Sequence, residues 1–172
     1  MIEINNLHKS FGSNKVLRGV NLEIDTGETI VIIGRSGCGK SVTALSILQL
    51  LRCPPAEIQG TIRFEGVNLL NLDPEKIRKI RGSSISMIFQ EPMTSLNPVM
   101  TVGAQIAESV EHHKRLRGEA VRRRVLELLD AVGIPDVRRR YGEYPHQLSG
   151  GMKQRVMIAM ALAGDPDLLI AD

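Results

Sequence analysis

Eight residues, Gly34-Arg35-Ser36-Gly37-Cys38-Gly39-Lys40-Ser41, separate a continuous β-branched run, Thr29-Ile30-Val31-Ile32-Ile33, from a stretch that reads as helix from about Lys40 to Leu51. This order restricts the possible folds more than any other feature of the chain. A run like Thr29 to Ile33 is expected of a strand buried on both faces in a parallel sheet. The loop after it matches G-x-x-x-x-G-K-[S/T], and each residue type has a task there. The glycines permit backbone angles that turn successive N–H groups inward around a β-phosphate. Lys40 bridges the β- and γ-phosphates, and the Ser41 hydroxyl ligates Mg²⁺. The bland alternative is a glycine-rich turn with an incidental Lys-Ser pair; the strand, loop and helix in sequence favour the phosphate cradle.

The 172 residues suffice for one sizeable core, and 42% hydrophobic with 24% charged residues is ordinary for a globular protein. The formal net charge of +3 is too mild to mark a nucleic-acid footprint. The longest nearly apolar stretch, Val42 to Leu51, includes Thr43, Ser46 and Gln49 and falls short of the ~20 residues that span a bilayer. Met1 leads into Glu3 and a strand-like alternation instead of a cleavable leader, so the expected compartment is the cytosol. A helix from Ser41 to Leu51 would hold its ends roughly 15 Å apart, beyond the ~7 Å limit of disulfide Cα atoms. Cys38 and Cys53 are therefore expected to be free thiols.

Ile2 to Phe11 and Val16 to Ile24 read as strands around a Gly12-Ser13-Asn14 turn. Ile58 to Phe64 and Ser84 to Phe89 are further strand candidates, with a short charged helix near Pro74 to Arg81. After Gln90 the texture turns helical. Thr101 can cap a helix running to about Arg117. Val121, Val125, Leu128, Leu129 and Val132 lie on one face of a second helix that Gly133-Ile134-Pro135 ends. A third runs from the Ser149-Gly150-Gly151 turn through Ala163 to Gly164-Asp165-Pro166, followed by another buried-strand run, Leu168 to Ala171, and Asp172. Strands, a helical block and a return to strand predict an α/β core, residues 1–90 and 165–172, interrupted by a helical subdomain at about 91–164. The arginine runs 122–124 and 138–140 read as solvated faces, and His146 and the His112-His113 pair lack metal-ligand company.

Leu148-Ser149-Gly150-Gly151-Met152-Lys153-Gln154-Arg155 opens a helix that leaves backbone amides unpaired, a cap or an anion site by its residues alone. Together with the phosphate loop this stretch resembles the signature of ATP-binding-cassette (ABC) ATPases. The resemblance implies a P-loop NTPase core with N-terminal antiparallel strands and the helical block as its signature subdomain. It further implies that Leu148, Ser149, Gly150, Gly151 and Gln154 act on ATP held by a second subunit. Lys40 and Gln90 become the catalytic residues, Ser41, Gln90 and Asp172 the Mg²⁺ donors, and Phe11 stands where the family stacks an aromatic on adenine. From its residues alone Phe11 reads equally as a core side chain. Gln90-Glu91-Pro92-Met93-Thr94-Ser95-Leu96-Asn97-Pro98 and Tyr144-Pro145-His146-Gln147 resemble the peptide and nickel importer branch. In the ABC family the loop after the glutamine lies against the membrane-spanning partner, so the resemblance implies that residues 91–103 meet an integral-membrane permease at the cytoplasmic face of the membrane. Arg35, Cys38 and Lys9-Ser10-Phe11-Gly12 are similar instead to ATPases of lipid-trafficking importers, which leaves the cargo open.

The resemblance also implies a water-polarising Glu after Asp172, where this sequence stops. Asp165 and Asp167 lie at the wrong end of the strand to replace it. The expectation is a truncated ABC ATPase domain, poorly active by itself, whose full-length form hydrolyses ATP to drive import of peptides or similar solutes. The competing reading, a soluble ABC ATPase acting on nucleic acid, would commonly carry a long coiled coil or zinc insertion between phosphate loop and signature. Only the compact helical block stands there.

Overall fold

The computed structural model describes residues 1–51, 56–89 and 96–172. Two compact units divide between Arg78 and Lys79.

The first unit is built on an antiparallel sheet. Strands β1 (Ile2–Phe11), β2 (Asn14–Ile24), β3 (Ala56–Phe64) and β4 (Val67–Asn68) are arranged β2-β1-β3-β4. In β1 the buried positions are Ile2, Ile4, Leu7 and Lys9, so the inward parity switches from even to odd within one strand. A bulge makes the switch: Ile4 faces Leu22 but Leu7 faces Val20, one more residue on β1 than on β2. Asn6 there takes φ of 49° and its amide donates to Asn21 Oδ1 at 2.8 Å. Gly60 of β3 sits against the bulge at φ of 105°, where a Cβ would lie 2.7 Å from the Asn5 carbonyl. Beside the sheet stand helices α1 (Lys40–Ile47) and α2 (Pro74–Ile80), with a 3-10 turn at Leu69–Asn71. Ile47, Leu48, Leu69 and Ile77 join Ile2, Ile4, Leu7, Leu17, Ile62 and Phe64 in being buried.

The second unit carries a parallel strand pair, β5 (Ile85–Ile88) and β6 (Leu168–Ala171), in register from Ile85 opposite Leu168 to Ile88 opposite Ala171. Helices α3 (Val102–Lys114), α4 (Glu119–Ala131), α5 (Val137–Arg140) and α6 (Gly150–Leu162) complete it. The stripes expected from periodicity form the core: Val121, Val125, Leu128 and Leu129 of α4 meet Val102, Ile106 and Val110 of α3 and Val156, Met157 and Ala159 of α6. Thr101 caps α3 as expected, its Oγ1 accepting from the Ala104 amide at 3.3 Å.

Several expectations are corrected. Thr29 to Ile33 forms no strand: none of the described strands pairs with it, and Val31 and Ile33 are 77% and 86% exposed. Burial on both faces requires strand partners along the edges and packed layers above and below. Apolar composition alone supplies neither. β6 is likewise covered on one face only, with Leu168 and Ile170 half-buried and Leu169 and Ala171 exposed. The helix after the phosphate loop stops at Ile47, not Leu51, because Gln49 adopts φ of 49° and the Leu50 amide turns back to the Leu45 carbonyl at 2.9 Å. α3 stops at Lys114, where Arg115 takes the left-handed conformation. The arginine runs are only partly solvated. Arg140 pairs with Glu143 at 2.6 Å and is 20% exposed, and Arg124 pairs with Asp165 at 2.5 Å. Cys38 is free and exposed, whereas Cys53 lies outside the described residues. Among the described residues no helix is long and apolar enough to cross a membrane.

Asp165 fastens three helices. From the turn after α6 it takes Lys114 of α3 at 2.8 Å and Arg124 of α4 at 2.5 Å. The Lys114 hydrogen bond, then the Arg124 charge, hold its carboxyl below the usual carboxylate range. A lowered folded-state pKa stabilises above the ordinary value near 4, and that stabilisation is lost as pH falls through the lowered value. Half of the Asp165 side chain is exposed, so screening limits the clasp to about 1 kcal/mol. Asp165→Asn should therefore lower the thermal midpoint by about 2–4 °C at pH 7. The deficit should shrink as the pH falls from 7 through the lowered value; melts followed by circular dichroism along that descent check this, and a deficit that does not change with pH assigns the loss to packing.

Candidate functional site

The phosphate loop takes its shape from two glycines and one lysine. Gly37 and Gly39 have φ of 80° and 100°, angles that an L side chain strains to adopt. Gly39 is also pressed against β2: a Cβ there would lie 2.6 Å from Leu17 Cδ2 and 3.6 Å from the Val16 carbonyl oxygen. Gly39 occupies the N-cap position of α1 and has no side chain, so it supplies no side-chain cap to that helix start. The Cys38 amide closes the turn on the Arg35 carbonyl at 3.2 Å, and Thr43 Oγ1 returns to the Gly39 carbonyl at 2.9 Å.

Lys40 leaves the first turn of α1 and reaches back over the loop. Its Nζ donates to the Gly34 carbonyl at 2.9 Å and the Arg35 carbonyl at 3.1 Å, and stands 3.7 Å from Cys38 Sγ. These partners are two carbonyls and a sulfur. Among the described residues no carboxylate forms an ion pair with this ammonium. A positive charge held by neutral acceptors, beside uncapped helix amides, is complementary to a polyanion. Ser36 is exposed, and Ser41 is half-buried in the first turn of α1. Phe11 ends β1 opposite Asn14 and Ala56 and is half-buried, a position compatible with both of its expected roles.

The signature stretch lies in the second unit. Ser149 caps α6, its Oγ accepting from the Met152 amide at 3.3 Å, while Leu148 is buried beneath it. The preceding turn is closed by Gln147, whose Oε1 accepts from the Tyr144 amide at 2.8 Å. Gly150, Gly151 and Gln154 are exposed. Neither glycine has positive φ, and a Cβ on either would meet nothing within 4 Å. Glycine is a poorer helix former than alanine, and among the described residues no contact requires either of them. Their bareness suits the close approach of something outside the chain.

Asp172 follows β6, and its amide donates to the Ile88 carbonyl at 3.1 Å, extending the parallel ladder. The carboxylate is thus at the carboxyl end of a parallel strand, as expected. Gln90, like 91–95, lies outside the described residues. No group of three His, Cys, Asp or Glu gathers as a metal site among the described residues.

Two positioning side chains escaped the sequence reading. Arg155 in α6 donates from Nη1 to the Val132 carbonyl at 2.5 Å and the Gly133 carbonyl at 3.1 Å, locking the signature helix to the end of α4. Gln105 is buried in α3 and bonds to the loop before that helix. Its signal was available: a polar residue on the Val102, Ile106, Val110 face must find partners.

Comparison with known proteins identifies the family and the fold. The family model described as "ABC transporter" matches residues 17–172. The dipeptide transport ATP-binding protein DppD of Bacillus subtilis (strain 168) is 49% identical over the whole chain, which covers 53% of that protein. The oligopeptide transport ATP-binding protein OppD of the same organism is also 49% identical, with 49% of it covered. The chain thus spans about half the length of these curated relatives. Among solved structures, the dimeric post-hydrolysis state of the ATP-binding cassette MJ0796 bound to ADP and Pi superposes with a TM-score of 0.87 at 32% identity. It matches all of this chain and 73% of that one. The fold is an ABC ATPase cassette fold, mixed α/β with an antiparallel N-terminal sheet. The chain belongs to the ABC transporter family.

Proposed function

We propose that this chain is the nucleotide-binding part of an importer subunit, in which ATP binding and hydrolysis drive uptake of peptides through an integral-membrane permease. The observation that carries the reading is Lys40, an ammonium held by loop carbonyls above the uncapped start of α1. On this reading it exchanges those carbonyls for β- and γ-phosphate oxygens. The amides of Gly37 to Ser41 and the start of α1 surround the same phosphates, with Gly34, Arg35 and Ser36 forming the loop's near wall and Phe11 on the adenine side. Ser41, Gln90 and Asp172 are the oxygen donors for Mg²⁺, which would neutralise phosphate charge when bound.

The bare Gly150 and Gly151 support the second half of the reading. There, Ser149, Gly150, Gly151 and Gln154 of one chain, with Leu148 as their buried footing, cover the nucleotide of a second ATPase subunit. Residues 91–164 then act as the signature subdomain on a core of 1–90 and 165–172, and the loop at 91–103 meets the permease at the cytoplasmic face. Peptide as cargo is supported by the similarity, over the full chain, to dipeptide and oligopeptide transport ATP-binding proteins.

In the full-length protein, Lys40→Ala should reduce ATP turnover about 100-fold or more, the scale on which removing one preorganised charge-stabilising donor acts. Steady-state phosphate release measures it, and near-normal turnover removes Lys40 from the site. Independently, exposed Cys38 should react with a maleimide, and saturating Mg-ATP should slow the labelling about 10-fold or more through occupancy of the loop. Labelling at the same rate with and without nucleotide places the phosphates elsewhere.

A further inference from the structure

The loop that precedes α3 is shaped by one side chain. Leu96 is buried in the helical core and Thr101 caps α3, so both ends of the described loop are anchored. Between them the Met100 amide turns back to the Asn97 carbonyl at 3.3 Å, and the Val99 amide donates to Asn97 Oδ1 at 3.1 Å. Gln105, 4% exposed, closes on this turn from below. Its Oε1 accepts from the Asn97 amide at 2.8 Å, and its Nε2 donates to the Asn97 and Met100 carbonyls, each at 3.0 Å. One carboxamide thereby serves a donor and two acceptors at once. Neither a carboxylate nor a hydrocarbon of equal size can do that.

What the carboxamide supports is an apolar tip. Pro98 is exposed and Val99 is 79% exposed at the crown of the turn. From Leu96 to Ala107 the chain has no charged residue, so the turn itself offers apolar contact and no ion pair to a partner. The same helix start is tied to the segment before the signature: the Val102 and Gly103 amides donate to the Glu143 and Tyr141 carbonyls at 2.8 and 2.9 Å.

We propose that Gln105 is a positioning residue that presents Pro98 and Val99 as a preformed apolar knob to the membrane-spanning permease. The proposal rests on the reading above, in which this loop meets the permease. Preforming the turn removes the ordering cost that a slack loop would meet on docking. Its loss should therefore weaken docking without touching the nucleotide site.

The test uses the full-length protein and its permease in nanodiscs, with permease affinity, nucleotide affinity and thermal midpoint measured for Gln105→Leu, Gln105→Glu and Val99→Asp. Both Gln105 variants should weaken permease binding about 10-fold, with nucleotide affinity kept within about two-fold, and Val99→Asp should weaken it at least as much. If Val99→Asp weakens binding while both Gln105 variants bind like wild type, the loop docks but Gln105 does not position it, and the proposal fails. If all three bind like wild type, the permease-docking reading of the loop fails as well. If the Gln105 variants lose nucleotide affinity and thermal midpoint together with docking, the side chain is a general support of the fold and the positioning role is overturned.

Discussion

The approach of Gly103 to the Tyr141 ring is the constraint on which the second unit depends. A Cβ on Gly103 would stand 2.5 Å from the ring, so only glycine lets α3 settle with its first amides on the Tyr141 and Glu143 carbonyls. That seat satisfies donors that a helix start otherwise leaves open. It fixes three things together: the direction of α3, the loop that Gln105 holds, and the segment leading through Tyr144 and Gln147 to Ser149. The Asp165 clasp and the Arg155 bonds to the end of α4 add charge and direction to an arrangement already set by backbone contact.

The first unit has its own counterpart in Gly39. Positive φ and the nearness of Leu17 both exclude a side chain there, so the phosphate loop is drawn against β2 and α1 begins without a cap. An uncapped helix start and an ammonium on neutral acceptors are each poor for stability and good for binding an anion. Gly150 and Gly151 reverse the argument. Glycine is demanded at Gly39 by the fold of the chain, whereas at the head of α6 nothing among the described residues demands it.

Most of the elements were legible because their signals are local. The α4 stripe, the Thr101 and Ser149 caps and the β1–β2 hairpin each depend on residues within a few positions of one another. The phosphate loop was legible for the same reason, being eight consecutive residues whose backbone angles follow from their glycines. Gln105, Arg155 and the Asp165 clasp were not read, although each is an ordinary polar residue in the sequence. Their partners lie 8, 23 and 41 residues away in the cases of Asn97, Val132 and Arg124.

The sequence by itself determined most of the helix starts and which glycines bend the chain, because these follow from short-range sterics and spacing, and its motifs carry the resemblance to the family. Tertiary structure alone decided which apolar runs are covered. Thr29 to Ile33 and Leu168 to Ala171 look alike as strings, yet the second finds β5 as a partner and the first finds none among the described strands. Burial depends on what packs alongside. That is a long-range property of the chain, and composition expresses only the preference for it.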